Sequence, residues 1–501
     1  MKKENIPQTI LKNSLFNFLS TLIGKFGGLI FTLLLARLLL PELFGLYNLV
    51  LSIVLIAIIF TDFGINGTAL RYISEAIGKN KTDQARSYFK YLFKLKGVIT
   101  LIVILFLILI AKPLSFSFFN KPESYWPLIV ATVYILAISS KDLFLNLFYA
   151  LRDIKKISIV ESILQLSKIV LAYLVILFIP QEQVISAIFL ALAVSIFISL
   201  LVSMAILGRK NVGLYFGKSI PINKSKILNY LKFMSLTAVS LVLFGSIDTL
   251  MLGRYVDTTF IGYYRAALSL VLTIAALFSI SNILLPVFTQ LNKNQTNKTF
   301  KEVIRYLTML TFPAIFGIII LSKDIITAVY GPLYLPAVMS LYALSALIII
   351  SPKIVFYTSL FQAKEKVNLI AKHIVTALVI NITLNYALIK YLTISNGPSQ
   401  GIIGAGIATS ISWCYLLLML MKETRKNFNL KLEYSFGIKA IFSSLIMSLA
   451  ILILPKIMIW AVFDTLAFKI VLGIIIYFAS LFLLKGLNEN DLKIIKILRK
   501  N

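Results

Sequence analysis

One cysteine, Cys414, and one histidine, His373, stand among 501 residues. That scarcity excludes a disulfide framework and a Cys/His zinc set. Charge is scarce as well: 14% of residues are Asp, Glu, Lys or Arg, where a soluble domain carries about 25%. The acidic residues number 20 against 49 basic ones. No G-x-x-x-x-G-K-[ST] loop occurs, so coupling to ATP through a P-loop has no basis. Long polar segments are missing too, and the widest gap between apolar runs, 66–95, is too short for a folded extramembrane domain.

Apolar sequence fills the chain instead. Hydrophobic residues make up 59% of it and come repeatedly in runs of about twenty, the length that crosses about 30 Å of hydrocarbon. About fourteen such stretches are predicted as helices: 14–39, 43–64, 95–118, 127–150, 158–179, 184–207, 228–252, 261–288, 304–322, 337–361, 367–391, 401–421, 437–455 and 458–484. The first is too long for a signal peptide and lacks a small-residue cleavage site. The expectation is an all-α integral membrane protein, not a soluble, disordered or nucleic-acid-binding chain, despite a net charge of +29. Chemistry is confined to the bilayer and its faces.

Alternate loops hold most of the basic residues, from Lys2, Lys3 and Lys12 through the 71–96 run to Lys493, Lys496, Arg499 and Lys500. The intervening loops hold few: Arg37, Lys112, Lys121, Arg254, Lys323, Lys390 and Lys456. By the positive-inside rule both termini are cytoplasmic. The net charge then reflects topology and attraction to anionic lipid. The segment 488–501 reads either as an interfacial amphipathic helix on that face or as a solvated tail.

The chain repeats itself. Thr32–Ser52 (TLLLARLLLPELFGLYNLVLS) aligns without gaps on Thr249–Ser269 (TLMLGRYVDTTFIGYYRAALS), matching Arg37 with Arg254, Gly45 with Gly262 and Tyr47 with Tyr264. The copies open spans 1–2 and 7–8, so both halves keep one orientation. That is a parallel repeat about an axis along the membrane normal. It divides the chain into two six-helix lobes, 1–218 and 219–425, and a C-terminal part, 426–501, with two extra helices and the tail.

The stretch ARLLLPELFGLYNLVLSIV…TDFGINGTALRYISE resembles the opening signature of the polysaccharide-biosynthesis, or lipid-linked oligosaccharide, flippases (Wzx-like). They belong to the multidrug/oligosaccharidyl-lipid/polysaccharide exporter superfamily. IDTLMLGRYVDTTFIGYYRAA, ITAVYGPLYLPAV and NITLNYALIKYL…GIIGAGIATSIS extend the resemblance over nearly the whole chain. It implies two lobes around a central cavity and alternating access. The implied substrate is a polyprenyl- or dolichyl-linked oligosaccharide, moved from the cytoplasmic to the outer leaflet. Spans 13 and 14 resemble the extra pair of the peptidoglycan-precursor branch, where they help form a groove for the lipid tail.

Ionisable residues deep in a span cost about 2.5–3.5 kcal/mol on insertion scales and usually face a cavity or a partner. Lys25 lies mid-span beside Gly24, Gly27 and Gly28, too deep for easy snorkelling. It reads as a cavity residue or as half of a buried pair. Arg265, near the outer end of span 8, either faces the cavity or snorkels outward. The resemblance favours both, since the peptidoglycan-precursor flippases place basic residues on spans 1 and 8 around the headgroup. Lys141, adjacent to Asp142, and Lys353, after Pro352 at an expected kink, complete the predicted phosphate-binding set. Glu161, Gln165 and Lys168 form one stripe on span 5, either an intrahelical network or a cavity lining. Tyr47, Asn48, Tyr264 and Gln165, with Asn17 and Asn146, are candidates for sugar contacts. Lys372 and His373 lie close enough to the cytoplasmic face to snorkel, with a proton relay as the sharper reading of His373.

Asp248, Asn381, Asn385 and Thr409 offer oxygen ligands that suit a sodium ion, or else hydrogen bonds that hold helices together. The set resembles the sodium site of the peptidoglycan-precursor flippases, with Asn385 standing where a carboxylate is expected. Sodium is the one cofactor implied. The expected partners are the lipid-linked substrate, membrane lipids and glycan-assembly enzymes, with a monomer forming a complete pathway. Nucleic acid is not among them. The expected location is the cell (cytoplasmic/inner) membrane, multi-pass, and the expected role is transport rather than catalysis. Two alternatives remain. A multidrug or cation antiporter of the same superfamily would favour carboxylates in its cavity. An integral-membrane glycosyltransferase or polymerase would need acidic catalytic residues in large outer loops, and those loops here are short.

Overall fold

The computed structural model describes residues 6–79, 81–150, 154–212, 220–222, 224–279, 287–289, 291–430, 435–457, 465–487 and 491. Those residues are almost wholly helical, with no strand among them. Among the described residues, eleven helices are long and apolar enough to cross a membrane, or twelve if one bent pair counts as a span. The chain divides into two compact units, Met1–Gly262 and Tyr263–Asn501.

The first unit opens with α1 (Ile6–Asp62), whose 57 residues cover the first two predicted spans. At 1.5 Å per residue such a helix would run about 86 Å, nearly three bilayer cores. Its break falls at Leu40, with φ 61° and ψ 169°, immediately before Pro41. Proline lacks the N–H the helix needs and drives its predecessor out of the α region. Leu40 therefore adopts backbone angles normally reserved for glycine.

Next come α2 (Ile65–Gly78) and α3 (Thr82–Pro113). The stretch expected as a loop is thus helical. It is amphipathic, and Ile65, Ala69, Tyr72 and Ile73 pack with Phe89, Leu92 and Phe148. On α3 the residues Leu101, Ile102, Leu105, Phe106 and Leu109 are exposed, an apolar face suited to lipid. A π turn, Leu114–Phe118, follows Pro113. The unit continues through α4 (Tyr125–Ala150), α5 (Ile154–Phe178), α6 (Gln181–Val212), α7 (Lys224–Tyr255) and the start of α8 (Thr258–Leu277). Here α5 and α6 pack on each other, α5 also on α1, and α7 on α1.

The two repeat copies break in register, since Leu40 aligns with Asp257, the residue between α7 and α8. Pro41 and Thr258 then hold the same place in the repeat. A Cβ on Gly45 would overlap the Thr258 carbonyl, and a Cβ on Gly262 would overlap the Pro41 carbonyl. Each glycine lies against the first helical residue of the other copy, a reciprocal contact that only residues without a side chain permit.

In the second unit α8 leads on to α9 (Lys293–Ile320) and α10 (Ser322–Tyr330), then to α11 (Ala337–Leu344) and α12 (Leu347–Ala363). Helices α11 and α12 form the tenth predicted span, bent by about 40°. The expected kink at Pro352 is misplaced: the bend lies at Ser345–Ala346, where Ser345 N–H donates to Tyr342 O (3.3 Å) and Ile348 N–H to Ser345 O (3.0 Å). Tightened i→i+3 bonding, not the proline, turns the chain there. The unit ends with α13 (Val367–Asn396), α14 (Pro398–Phe428), α15 (Ser435–Ile457) and α16 (Leu466–Leu483). Helices α13 and α14 pack closely as antiparallel neighbours, with Gly404 against the Leu388 carbonyl. The last pair packs on α9, where Tyr477 Oη donates to Met309 O (2.7 Å). Most of the predicted tail, 488–490 and 492–501, lies outside the described residues, as does the start of the fourteenth stretch at 458–464.

Candidate functional site: buried polar seams within each unit

In the first unit, two features that the sequence shows separately come together. The α1 glycines face the α5 stripe: a Cβ on Gly27 would lie 2.8 Å from Gln165 Cβ, and one on Gly24 3.6 Å from Glu161 Oε1. Gln165 donates from Nε2 to Glu161 Oε1 (2.7 Å), while its buried Oε1 has no hydrogen-bond partner. The Lys168 ammonium sits over the Phe31 ring of α1, 4.7 Å from its centroid. Small residues on α1 thus let the polar face of α5 approach the backbone. Lys25 lies on this stretch of α1, but its side chain falls outside those described, as does that of Asn17.

Two more buried pairs adjoin. Lys141 is 8% exposed and stands 3.9 Å from Asp142 Oδ1, and Asn146 donates to the Asp142 carbonyl (2.9 Å). Lys96 is 2% exposed, and its ammonium reaches Asp62 Oδ1 (3.3 Å) and Asn66 Oδ1 (2.9 Å). The sequence places Lys96 among loop charges. The structure corrects this, because α3 begins at Thr82 and carries Lys96 into the packed interior. Tyr47 is buried and stacks on Phe189 at 5.4 Å, and Asn48 donates to Phe44 O (2.8 Å). Asp248 is 2% exposed and accepts from the Thr249 N–H at 2.7 Å.

Basic residues of the loops expected on the outer side have a local role. Lys121 donates to Gly253 O (2.8 Å) at the C-terminal end of α7 and to Phe119 O (3.3 Å). Arg254 donates in return to the Ser117 and Phe118 carbonyls that end the α3 segment. Each helix C-terminus is capped by a cation from the other element, where the helix dipole favours positive charge. Burial pulls the Lys121 ammonium below the ordinary lysine range, partly offset by Asp257 and Glu123.

In the second unit Arg265 is half-buried on α8, and the Lys353 ammonium lies 5.8 Å from the Phe312 ring centroid. Tyr264 is fully buried, with its hydroxyl 3.5 Å from Thr409 Oγ1. Asn381 and Asn385 are both 0% exposed, and none of their four amide nitrogen and oxygen atoms has a hydrogen-bond partner. Buried amides are rarely left in that state, since each orphaned group costs about 1–3 kcal/mol. Neutral oxygens so placed suit a hard monovalent cation or bound water. The site residues that sequence reasoning passed over are Lys96 with Asn66, and Glu423, which lies 3.6 Å from His373 Nε2.

Comparison with known proteins places this architecture. Residues 10–292 match the family model for polysaccharide biosynthesis proteins, and residues 218–472 that for the lipid II flippase MurJ. The probable low-salt glycan biosynthesis flippase Agl15 of Haloferax volcanii is 26% identical over 232 residues, 45% of this chain and 47% of its own. The chain thus matches about half the length of that relative. Among solved structures, lipid II flippase MurJ in an inward closed conformation superposes with a TM-score of 0.73 at 18% identity, over 93% of this chain and 97% of that one. An inward-facing multidrug resistance MATE family transporter of the MOP superfamily gives 0.63 at 13% identity, over 82% and 98%. A MOP superfamily transporter from Pyrococcus furiosus gives 0.57 at 12%, over 84% and 96%. The fold is MurJ- and MATE-like.

Proposed function

This chain belongs to the polysaccharide biosynthesis protein family, and from that premise we propose that it is a membrane flippase for a lipid-linked glycan. The observation that carries the reading is the coverage of residues 10–472 by two family models, one of polysaccharide biosynthesis proteins and one of a lipid flippase. The substrate is a polyprenyl- or dolichyl-(pyro)phosphate-linked oligosaccharide, moved from the cytoplasmic to the outer leaflet of the cell membrane. The two lobes of the repeat alternate in access, and the chain acts as a transporter rather than an enzyme, in contact with the enzymes that assemble the glycan.

A phosphate or pyrophosphate must cross a medium that cannot solvate it. Lys25, Lys141, Arg265 and Lys353 replace that solvation, with the planar fork of Arg265 suited to phosphate oxygens. Tyr47, Asn48, Tyr264 and Gln165 serve the sugar. The reciprocal glycine contact at Gly45 and Gly262 supports a repeat-related pair of gating elements.

Sodium is the proposed coupling ion. The orphaned amides of Asn381 and Asn385, with the Thr409 hydroxyl, fit it within the second unit. Bound there, the ion would supply positive charge whose binding free energy differs between the two access states, which is what shifts an equilibrium between them. The ligand role of Asp248 is tested separately, since Asp248→Asn should weaken sodium binding and leave folding intact.

The primary test is the appearance of a short polyprenyl-pyrophosphate oligosaccharide in the outer leaflet of proteoliposomes. Wild type should transport, and Lys25→Ala/Arg265→Ala should lose transport while remaining folded. Transport unaffected by the double substitution would discard those two residues. No transport under a sodium gradient or an imposed potential would favour the cation antiporter.

A further inference from the structure

His373 is 7% exposed, and neither of its ring nitrogens has a hydrogen-bond partner. It begins a row at four-residue intervals along α13, through Ala377, Asn381, Asn385 and Ile389, all buried. Such a row is one i±4 ridge of the helix, and α14 is the neighbour against which α13 packs most closely. Glu423 of α14 faces His373, its Oε1 3.6 Å from Nε2. The other oxygen, Oε2, accepts from Asn427 Nδ2 (2.8 Å), and Asn427 Oδ1 accepts from the Lys366 ammonium (2.7 Å). Six polar atoms on this one ridge, two on His373 and two on each asparagine, are therefore buried without a hydrogen-bond partner.

We propose that His373 and Glu423 form a proton-binding site at the cytoplasmic end of the α13–α14 seam, and that its occupancy sets the affinity of Asn381 and Asn385 for a monovalent cation. The inference rests on the sodium reading above and deepens it. Without a proton the pair carries the single negative charge of Glu423; with His373 protonated it carries none. Eight residues of helix separate His373 from Asn381, about 12 Å. A unit change of charge at that distance, in an effective dielectric of about 20, alters cation affinity about tenfold. Protonation therefore weakens cation binding, and by reciprocity the cation disfavours the proton to the same degree.

The other charges nearby do not mask this. On α13 Lys372 is exposed, and on α14 so are Lys422, Arg425 and Lys426. The turn after α12 brings Lys364, which donates to Leu291 O (3.4 Å), the exposed Glu365, and Lys366, already held by Asn427. Among the described residues Glu423 is thus the carboxylate that faces the imidazole.

The test uses the full chain in nanodiscs. Sodium binding is measured at about pH 5.5 and about pH 8, on either side of the range in which histidine titrates. Wild type should bind about tenfold more weakly at the lower pH. His373→Gln should bind at both pH values with one unchanged affinity, and Glu423→Gln should bind more weakly even at the higher pH. Selective 15N labelling of the single histidine gives an independent readout, a signal whose titration moves when sodium replaces choline. A pH dependence that persists in His373→Gln, or a histidine titration indifferent to sodium, would overturn the inference and leave the sodium reading standing. No sodium binding at either pH would overturn both.

Discussion

Lys90, Lys94 and Lys96 look alike in sequence, yet Lys94 is exposed and Lys96 is buried against Asp62 and Asn66. Two residues of helix turn the chain by about 200°, so once α3 extends back to Thr82 one lysine must face out and the other in. The helix start was hidden by the density of charge around it, which is why this part of the site was not legible. Gly24, Gly27 and the Glu161–Gln165–Lys168 stripe were legible, because intramembrane polar residues and clustered glycines stand out against aliphatic sequence. Their mutual contact needed the fold. The Lys96–Asp62 pair gives a sharp expectation, since removing one partner leaves an uncompensated buried charge at a cost of about 3–5 kcal/mol. Lys96→Met should sharply lower the thermal midpoint in detergent, and Lys96→Met/Asp62→Asn should recover most of the loss. Equal losses in the single and double variants would show that the pair contributes nothing specific.

Helices were the easiest elements to read, because a run of about twenty apolar residues has few other uses. Less visible were α2, whose period-3.6 apolar face is interleaved with charge, and the bend at Ser345–Ala346, which has no proline to mark it. The repeat was readable as Arg, Gly and Tyr in matching places. What those residues do became clear from the break at Leu40 and its counterpart at Asp257, where Gly45 and Gly262 each admit a carbonyl from the other copy. Any side chain there must push two backbones apart, and overpacking of this kind costs about 1–3 kcal/mol per site. Gly45→Val and Gly262→Val should therefore each destabilise the protein, by similar amounts because the contacts are reciprocal. Gly317 has nothing within 4 Å of an added Cβ, so Gly317→Ala should be neutral or slightly stabilising, as for any open helical glycine. Thermal midpoints for the three variants would decide it, and a tolerated Gly45→Val would remove the close contact from the account.

Across the molecule, the break in α1 fixes everything that follows. Were Ile6–Asp62 a single crossing, each later loop would move to the opposite side of the membrane. Two crossings would return the chain to its starting side, and the basic run of 71–96 would then share a side with the other basic loops, which the positive-inside rule predicts to be the cytoplasm. Lys121 and Arg254, predicted on the outer side, do not oppose that rule, because both are engaged in capping helix ends. The chain supplies a convenient test, since Cys414 is its one thiol. In a Cys414→Ser background, single cysteines can replace Glu123 and Asp257, expected outside, or Lys79 and Lys298, expected inside; all four positions are exposed. A membrane-impermeant maleimide applied to intact cells should label Glu123→Cys and Asp257→Cys, and should reach Lys79→Cys and Lys298→Cys only after permeabilisation. Inverted labelling at all four would mean that the N-terminus lies outside. Inversion at Asp257 and Lys298 alone would mean that the chain crosses once more or once less between α4 and α7, and the parallel orientation of the two repeat copies would then have to be given up.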